Sequence, residues 1–106
     1  MTRALLNVPR EARKGEIIEI KAMIAHVMET GYRRDASGGA IERNIINRFV
    51  CRYDGVEIFA AELFPAIAAN PFLAFSTIAT RSGTLTFAWT DDMGDTQTAT
   101  AEIKVV

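Results

Sequence analysis

The sequence contains one cysteine, Cys51, and one histidine, His26, among 106 residues. A single cysteine excludes a disulfide within the chain and leaves the redox compartment open. One thiol and one imidazole also provide too few soft ligands for a structural zinc ion. We therefore expect no metal and no other cofactor.

A strong charge of one sign and a long apolar run are also lacking. The formal net charge is -1 and the pI is near 5.8, so no overall field would attract nucleic acid or an anionic membrane. No apolar run approaches the roughly 20 residues that span a bilayer, and residues 1–10 lack the apolar stretch of a secretory signal. These absences alone predict a soluble, cytoplasmic chain.

The hydrophobic residues that are present, 49% of the total, suffice for one core, so residues 1–106 are expected to form a single domain. The clearest strand is residues 83–91, where Leu85, Phe87 and Trp89 alternate with threonine and alanine. This alternation at period two predicts that one face of the strand belongs to the core.

Two hairpins are predicted from turn residues between alternating segments. Asp91-Asp92 is interpreted as part of a turn, after which residues 96–106 alternate again. Asp54-Gly55 is a favoured two-residue turn, and the segments 46–53 and 56–61 on either side are rich in β-branched and aromatic residues.

The segment 16–27 fits two periodicities. A helix stripe would contain Ile17, Ile20, Ile24 and Val27, and a strand face would contain Ile18, Ile20, Ala22 and Ile24. The many isoleucines and the preceding Gly15 favour a strand. Residues 33–39 are expected to form a polar loop, and residues 72–78 another strand. Six or so short strands predict an all-β, immunoglobulin-like β-sandwich.

Cys51 is the obvious candidate nucleophile, but the strand pattern indicates that its thiol lies in the core. One face of the predicted strand carries Asn47, Phe49, Cys51 and Tyr53, and the other carries Arg48, Val50 and Arg52. A thiol among aromatic side chains is buried and inert. The carboxylates also show no acid/base spacing, so we expect no catalytic residue. They are Glu57, Glu62, Asp91, Asp92 and Asp95.

Two other features are candidates for partner contacts. The first is the apolar segment 64–72, in which Pro65 and Pro71 keep the backbone out of a sheet ladder. Its Ile67 and Phe72 either close one end of the core or form an exposed contact patch. The second is a basic set that is either a solvated face or an interface. It consists of Arg33, Arg34, Arg43, Arg48 and Arg52.

Several segments resemble successive motifs of the SoxZ family over nearly the whole chain. They are Gly-Glu-Ile-Ile at 15–18, Met-Glu-Thr-Gly-Tyr-Arg-Arg-Asp at 28–35, Ile-Ile-Asn-Arg-Phe at 45–49, Pro-Ala-Ile-Ala-Ala-Asn-Pro-Phe-Leu-Ala-Phe at 65–75 and Trp-Thr-Asp-Asp at 89–92. The proline-bracketed segment and its spacing from Trp-Thr-Asp-Asp are the most specific part. The chain departs from the family pattern at Glu42, where proline is common, and at Phe64, where an acidic residue is common.

The resemblance implies an immunoglobulin-like subunit that forms a tight heterodimer with SoxY, whose C-terminal cysteine carries sulfur intermediates during thiosulfate oxidation. The present sequence ends without the glycines and cysteine of such an arm, so the resemblance implies the non-catalytic partner. It also implies a periplasmic location, with export on the signal of SoxY, and transient contacts with other Sox enzymes. The expected interface residues are Arg33, Arg43, Phe64, Ile67, Asn70 and Phe72.

Two alternatives stay open from the residues alone. A stand-alone thiol enzyme would use Cys51 as its nucleophile, which requires a lowered thiol pKa. An adhesion-like or polysaccharide-binding sandwich would have the same fold, because a fold does not determine a function.

Overall fold

The computed structural model describes residues 3–25, 31–32, 34–64 and 71–106. These residues form eight β-strands and no helix. The strands are β1 (Arg3–Asn7), β2 (Glu11–Ala12), β3 (Ile17–Ala25), β4 (Ile46–Tyr53), β5 (Val56–Glu62), β6 (Phe72–Ile78), β7 (Gly83–Asp91) and β8 (Thr96–Val105).

The strands are arranged in two sheets packed face to face. The order is β1-β3-β6 in the three-stranded sheet and β2-β8-β7-β4-β5 in the five-stranded sheet. Neighbouring strands are antiparallel, apart from the short parallel pair β2 and β8. The predicted all-β sandwich is therefore confirmed.

The core lies between the sheets and is built from alternate residues of each long strand. In β3 the buried residues are Ile18, Ile20, Ala22 and Ile24, which is the strand face predicted for this segment rather than the helix stripe. In β7 they are Leu85, Phe87 and Trp89, as the alternation predicted. In both strands every second residue is buried, because successive side chains of a strand point to opposite faces.

Phe49 of β4 occupies the centre of the core. The ring centroids of Phe59, Phe75, Phe87 and Trp89 lie 5.3 to 6.2 Å from that of Phe49. Phe59 and Phe75 also stack on each other, with centroids 4.4 Å apart and the rings 5° from parallel. Because Phe75 belongs to the three-stranded sheet and Phe59 to the five-stranded sheet, this stack closes the open side of the sandwich.

The Asp54-Gly55 turn forms the predicted hairpin between β4 and β5. Both residues have positive φ, 48° and 85°, as the two-residue turn of this type requires. The Asp54 carboxylate then accepts hydrogen bonds from the Thr84 N–H at 2.8 Å and from Arg81 Nε at 2.9 Å. The turn is thereby fastened to the beginning of β7.

Two strands, β1 and β2, were missing from the sequence-based interpretation. β1 has five residues and β2 has two, so neither segment is long enough to show a periodicity. Both exist because of pairing with distant parts of the chain, β1 with β3 and β2 with the end of β8. Within the described residues, no helix is long and apolar enough to cross a membrane.

We expect Trp89→Ala to lower the free energy of unfolding by about 3 to 5 kcal/mol, because the indole is fully buried against Phe49 and Phe87. Thr98→Ala on β8 is the control, since Thr98 is exposed and its loss should change stability by less than about 0.5 kcal/mol. Denaturant unfolding measures both. A loss below about 1 kcal/mol for Trp89→Ala would show that this face is not the main core.

Candidate partner-docking site

The Asp92 carboxylate organises the end of the sandwich where β4 begins and β7 ends. Arg43 donates two hydrogen bonds to it, from Nε at 2.7 Å and from the second guanidinium nitrogen at 3.0 Å. The Asn47 amide donates a third at 2.9 Å, and the Ile45 N–H a fourth at 3.2 Å. The Asp92 N–H in turn donates to the Ile45 carbonyl at 3.0 Å. One side chain therefore holds the segment that leads into β4.

The environment of Asp92 favours its ionised form. Burial by itself would raise the pKa of the carboxyl, but hydrogen bonds from Asn47, Arg43 and Ile45 and the charge of Arg43 together lower it below the ordinary 3.8. The Asp92 side chain is only 14% exposed, so this is a partly desolvated, two-point pair rather than an ordinary surface ion pair.

This role of Asp92 was not foreseen. The sequence predicts that Asp91 and Asp92 lie together in a turn, and Asp91 does act as a turn residue by accepting hydrogen bonds from the N–H groups of Met93 and Asp95. Asp92 lies in the same turn, yet its carboxylate is directed to residues more than 40 positions earlier in the chain. No local pattern contains a signal for such a contact.

A shallow depression of about 280 Å³ lies beside this ion pair, and we call it the Arg43 site. Its lining residues are Arg43, Asn47, Arg48, Glu62, Leu63 and Phe64. Leu63 is buried at its base, whereas the Phe64 ring is 62% exposed. Arg48 on β4 and Glu62 on β5 face each other in register and add opposite charges to the rim. An exposed aromatic ring within a polar, arginine-containing rim is the usual composition of a protein-binding hot spot.

Gly31 lies against the backbone and Cβ of Arg43. Gly31 has a φ of +88°, and a Cβ built on it would lie 3.1 Å from the Cβ of Arg43. The backbone conformation therefore favours glycine, and a larger residue would also have to move the Arg43 side chain by a few tenths of an ångström. The next residue, Tyr32, is 85% exposed and places a second large aromatic surface near this end of the molecule.

The structure brings together two of the six expected interface residues, Arg43 and Phe64. Phe72 lies elsewhere: it is 58% exposed on the outer face of the three-stranded sheet, where it lines a depression with Leu5 and Met23. Phe72 therefore does not close the core. The remaining three, Arg33, Ile67 and Asn70, lie outside the described residues.

The other arginines of the basic set are exposed. Arg48 and Arg52 project from the outer face of β4, as the alternation predicted, and lie in register with Glu62 and Glu57 of β5. Arg34 donates to the carbonyl of Gly38 at 3.1 Å within the loop that was expected to be polar. For Arg34 and Arg52 these contacts are those of a solvated face, whereas Arg48 borders the Arg43 site.

Cys51 occupies the predicted position in the core, opposite Phe87 on β7 and Phe59 on β5. Burial raises the pKa of its thiol to about 12, so essentially no thiolate is present at neutral pH. His26, the only imidazole, lies outside the described residues. No group of three or more histidine, cysteine, aspartate or glutamate side chains that could hold a metal occurs among residues 3–25, 31–32, 34–64 and 71–106.

A family model for the sulphur oxidation protein SoxZ matches residues 6–102. The chain belongs to the SoxZ family. This SoxZ-family chain is accordingly a component of the Sox sulfur-oxidation system, as the motifs in its sequence implied. A comparison with curated proteins found no match.

Solved structures similar to this SoxZ-family chain share its sandwich. The sulfur carrier protein SoxY from Chlorobium limicola f thiosulfatophilum has a TM-score of 0.69 at 11% identity, covering 97% of this chain and 78% of its own. The superoxide reductase neelaredoxin from Ignicoccus hospitalis has a TM-score of 0.74 at 18% identity, covering 99% and 82%. A putative superoxide reductase from Thermotoga maritima has a TM-score of 0.74 at 15% identity, covering 97% and 85%. At such identities these similarities establish the fold alone.

We expect Asp92→Asn to lower the free energy of unfolding by about 1 to 3 kcal/mol at neutral pH, because the amide loses the charge-assisted pairing with Arg43. Since the folded pKa of Asp92 is lowered, its contribution is complete above the ordinary pKa of 3.8 and disappears as pH falls through the folded pKa.

Denaturant unfolding of both proteins from pH 7 to pH 2 measures this difference. Asp95→Asn in the same turn is the control, because Asp95 is exposed. The difference in free energy of unfolding between the original protein and Asp92→Asn should be constant from pH 7 to about pH 4 and then become smaller. A difference that is the same at every pH, or that equals the difference caused by Asp95→Asn, would contradict a stabilising role of the ionised Asp92 carboxylate.

We expect Cys51 to resist alkylation by iodoacetamide in the native protein at pH 8 and to react fully in guanidinium chloride, because burial both blocks access and suppresses the thiolate. Mass spectrometry of the intact chain counts the added groups. Rapid modification of the folded protein would instead support a reactive thiol.

Proposed function

We propose that this chain is the non-catalytic subunit of a two-chain sulfur carrier, in which it binds SoxY and the sulfur intermediates are attached to SoxY. The observation that carries the proposal is the burial of Cys51, the one cysteine in the sequence. Covalent sulfur carriage by a thiol requires an accessible thiolate, and this thiol has a pKa of about 12 inside the core. A sulfur-oxidation component built in this way needs the thiol of another chain.

The Arg43 site is the surface that we propose for contact with SoxY. Phe64 supplies an exposed aromatic anchor, and Arg43 supplies a guanidinium that the Asp92 carboxylate holds in one orientation. Because the Arg43 side chain is still 49% exposed, it can pair with Asp92 and meet a partner's carboxylate or carbonyl groups at the same time. Fixing the side chain beforehand lowers the entropy cost of binding.

The proposal extends to the cellular location of the chain and to its contacts with the other Sox enzymes. A carrier whose thiol must enter several active sites needs one surface that all of the enzymes can dock on, and a rigid sandwich provides such a surface. We propose that the chain works in the periplasm, that it is exported together with SoxY, and that other Sox enzymes contact the pair transiently. Arg33, Ile67 and Asn70 stay predicted contact residues.

The buried thiol argues against a stand-alone thiol enzyme. The Arg43 site does not favour an adhesion-like or polysaccharide-binding role, because it is shallow and contains one exposed aromatic ring rather than a deep, polar cleft of the kind that binds a small ligand.

We expect Phe64→Ala to weaken the binding of SoxY at least about tenfold, the loss that corresponds to removal of a hot-spot aromatic ring. Val56→Ala is the matched control, since Val56 is 61% exposed at the opposite end of the β4-β5 hairpin and should leave the affinity unchanged. Calorimetric titration of SoxY into each purified variant measures the dissociation constant.

Arg43→Lys and Arg52→Lys form a second matched pair in the same titration. Lysine cannot reproduce the two-point pairing with Asp92, so Arg43→Lys should weaken binding, whereas Arg52→Lys on the solvated face should not. The absence of SoxY binding by the original chain would refute the proposed function. Normal binding by Phe64→Ala and Arg43→Lys would refute only the proposed surface.

A further inference from the structure

The two sheets have four outermost edge strands, and three of them carry protection against unwanted pairing. Residues 96–103 of β8 also have a free side, because β2 pairs only with Lys104 and Val105, and this free stretch carries the charged Glu102. β2 has two residues and β1 has five, so each offers only a short edge. β5 carries Glu57 and Glu62 and has an irregular register opposite Cys51 and Arg52. Short length, charge and bulges are the usual means by which proteins keep an edge strand from pairing with another chain.

The fourth edge strand, β6, has none of these features. Its seven residues, Phe-Leu-Ala-Phe-Ser-Thr-Ile, include no charge and no proline, and they pair with β3 in an unbroken register. In the part of the chain that the structure describes, no strand pairs with the other side of β6. An uncharged edge of this length, in unbroken register with its neighbour, is a template for an added strand.

The hydrogen bonds at the two ends of β6 show which of its backbone groups face this open side. The carbonyl of Pro71 accepts from the Ile24 N–H at 3.2 Å, and the Ala79 N–H donates to the Glu16 carbonyl at 2.8 Å. Since alternate residues of an antiparallel strand bond to the same neighbour, the odd-numbered residues face β3. The N–H and C=O groups of Phe72, Ala74, Ser76 and Ile78 therefore point to the open edge.

The same four residues carry the side chains on the outer face of the sheet. Phe72 is 58% and Ile78 is 52% exposed, one at each end of the strand, with the small Ala74 and Ser76 between them. In register beside them on β3 lie Met23 next to Phe72, and Ile17 next to Ile78. The free backbone edge is thus bordered by apolar surface at both ends.

We propose that β6 docks against β6 of a second copy of this chain, antiparallel and with the two-fold axis at Phe75, which joins two three-stranded sheets into one. In this register Phe72 faces Ile78 of the second copy, and Ala74 faces Ser76 of the second copy, so large meets large and small meets small. All of these residues have outward-facing backbone groups, so each pair exchanges two hydrogen bonds. A strand without charge brings no like charges together. The self-complementary order of side chains is the reason to name a second copy as the occupant.

Paired proline substitutions test this proposal on the full chain without SoxY. Ala74→Pro removes an N–H that points to the open edge, so the ladder with β3 is kept while an added strand is blocked. Ala60→Pro is the matched control, because Ala60 is an exposed alanine on the edge strand β5. The N–H of Leu63 bonds to the Asn47 carbonyl of β4 at 2.9 Å, and bonding alternates along a strand, so the N–H of the even-numbered Ala60 points away from β4.

Sedimentation velocity over a hundredfold range of concentration should show a dimer that dissociates on dilution for the original chain and for Ala60→Pro. For Ala74→Pro it should show a monomer throughout, with a denaturant unfolding curve confirming that the variant is folded. A dimer that persists in folded Ala74→Pro, or an original chain that is monomeric throughout, overturns the proposal. A monomeric chain whose SoxY binding is abolished by Ala74→Pro would assign the edge to SoxY and would also overturn it.

Disulfide trapping gives a second readout that does not require a proline variant to fold. Ala74→Cys and Ser76→Cys, mixed and mildly oxidised, should form a disulfide-linked dimer, because the two positions face each other about 5.5 Å apart between Cα atoms. Either variant alone should not, because like positions are about 8 Å apart, beyond the reach of a disulfide. The original chain is the blank, since Cys51 is buried. The register is contradicted if the mixture and the two single variants form the disulfide-linked dimer equally, or if the mixture forms none.

Discussion

The packing of four aromatic rings around Phe49 is the interaction on which the rest of the molecule depends. It joins both sheets, since Phe75 comes from the three-stranded sheet while Phe59, Phe87 and Trp89 come from the five-stranded one. Its functional consequence follows from the two-residue period of a strand. With Phe49 inside, Cys51 on the same face of β4 must also be inside, and the thiol is removed from solvent.

In the function proposed above, this sulfur-oxidation component acts through its surface, because its thiol is buried. The same period that buries Cys51 directs Arg48 and Arg52 outward, while Asp92 at the end of β7 fixes Arg43 next to Phe64. The described residues thus separate a buried apolar core from a polar and aromatic end, where we propose that SoxY docks. Superoxide reductases have a similar sandwich, so the fold alone does not determine a function, and individual side chains have to be considered.

Much of the fold could be predicted from the sequence because the long strands repeat an apolar residue at every second position, as in β3 and β7, and because Asp54-Gly55 is an unambiguous turn. The burial of Cys51 followed from the same pattern. What could not be predicted is non-local. β1 and β2 exist only through distant pairing, and the role of Asp92 depends on Arg43, Ile45 and Asn47, which no local pattern connects with it. The sequence did not decide whether Phe72 lies in the core or on the surface. Phe72 is the first residue of its strand and follows a proline, so no preceding strand residue shows which face its side chain is on.

The central claim is that this chain supports sulfur chemistry without carrying sulfur. Its most direct test is to reconstitute the chain with SoxY, the thiosulfate-oxidising enzymes and an electron acceptor, which takes up the two electrons released when a thiol and thiosulfate are joined. Thiosulfate labelled in its sulfane sulfur is supplied, and the label is located by mass spectrometry of the separated chains under non-reducing conditions. The account predicts label on SoxY and none on Cys51, with no labelling of SoxY above background when this chain is omitted. Label bound covalently to Cys51, or full labelling of SoxY in the absence of this chain, would contradict it.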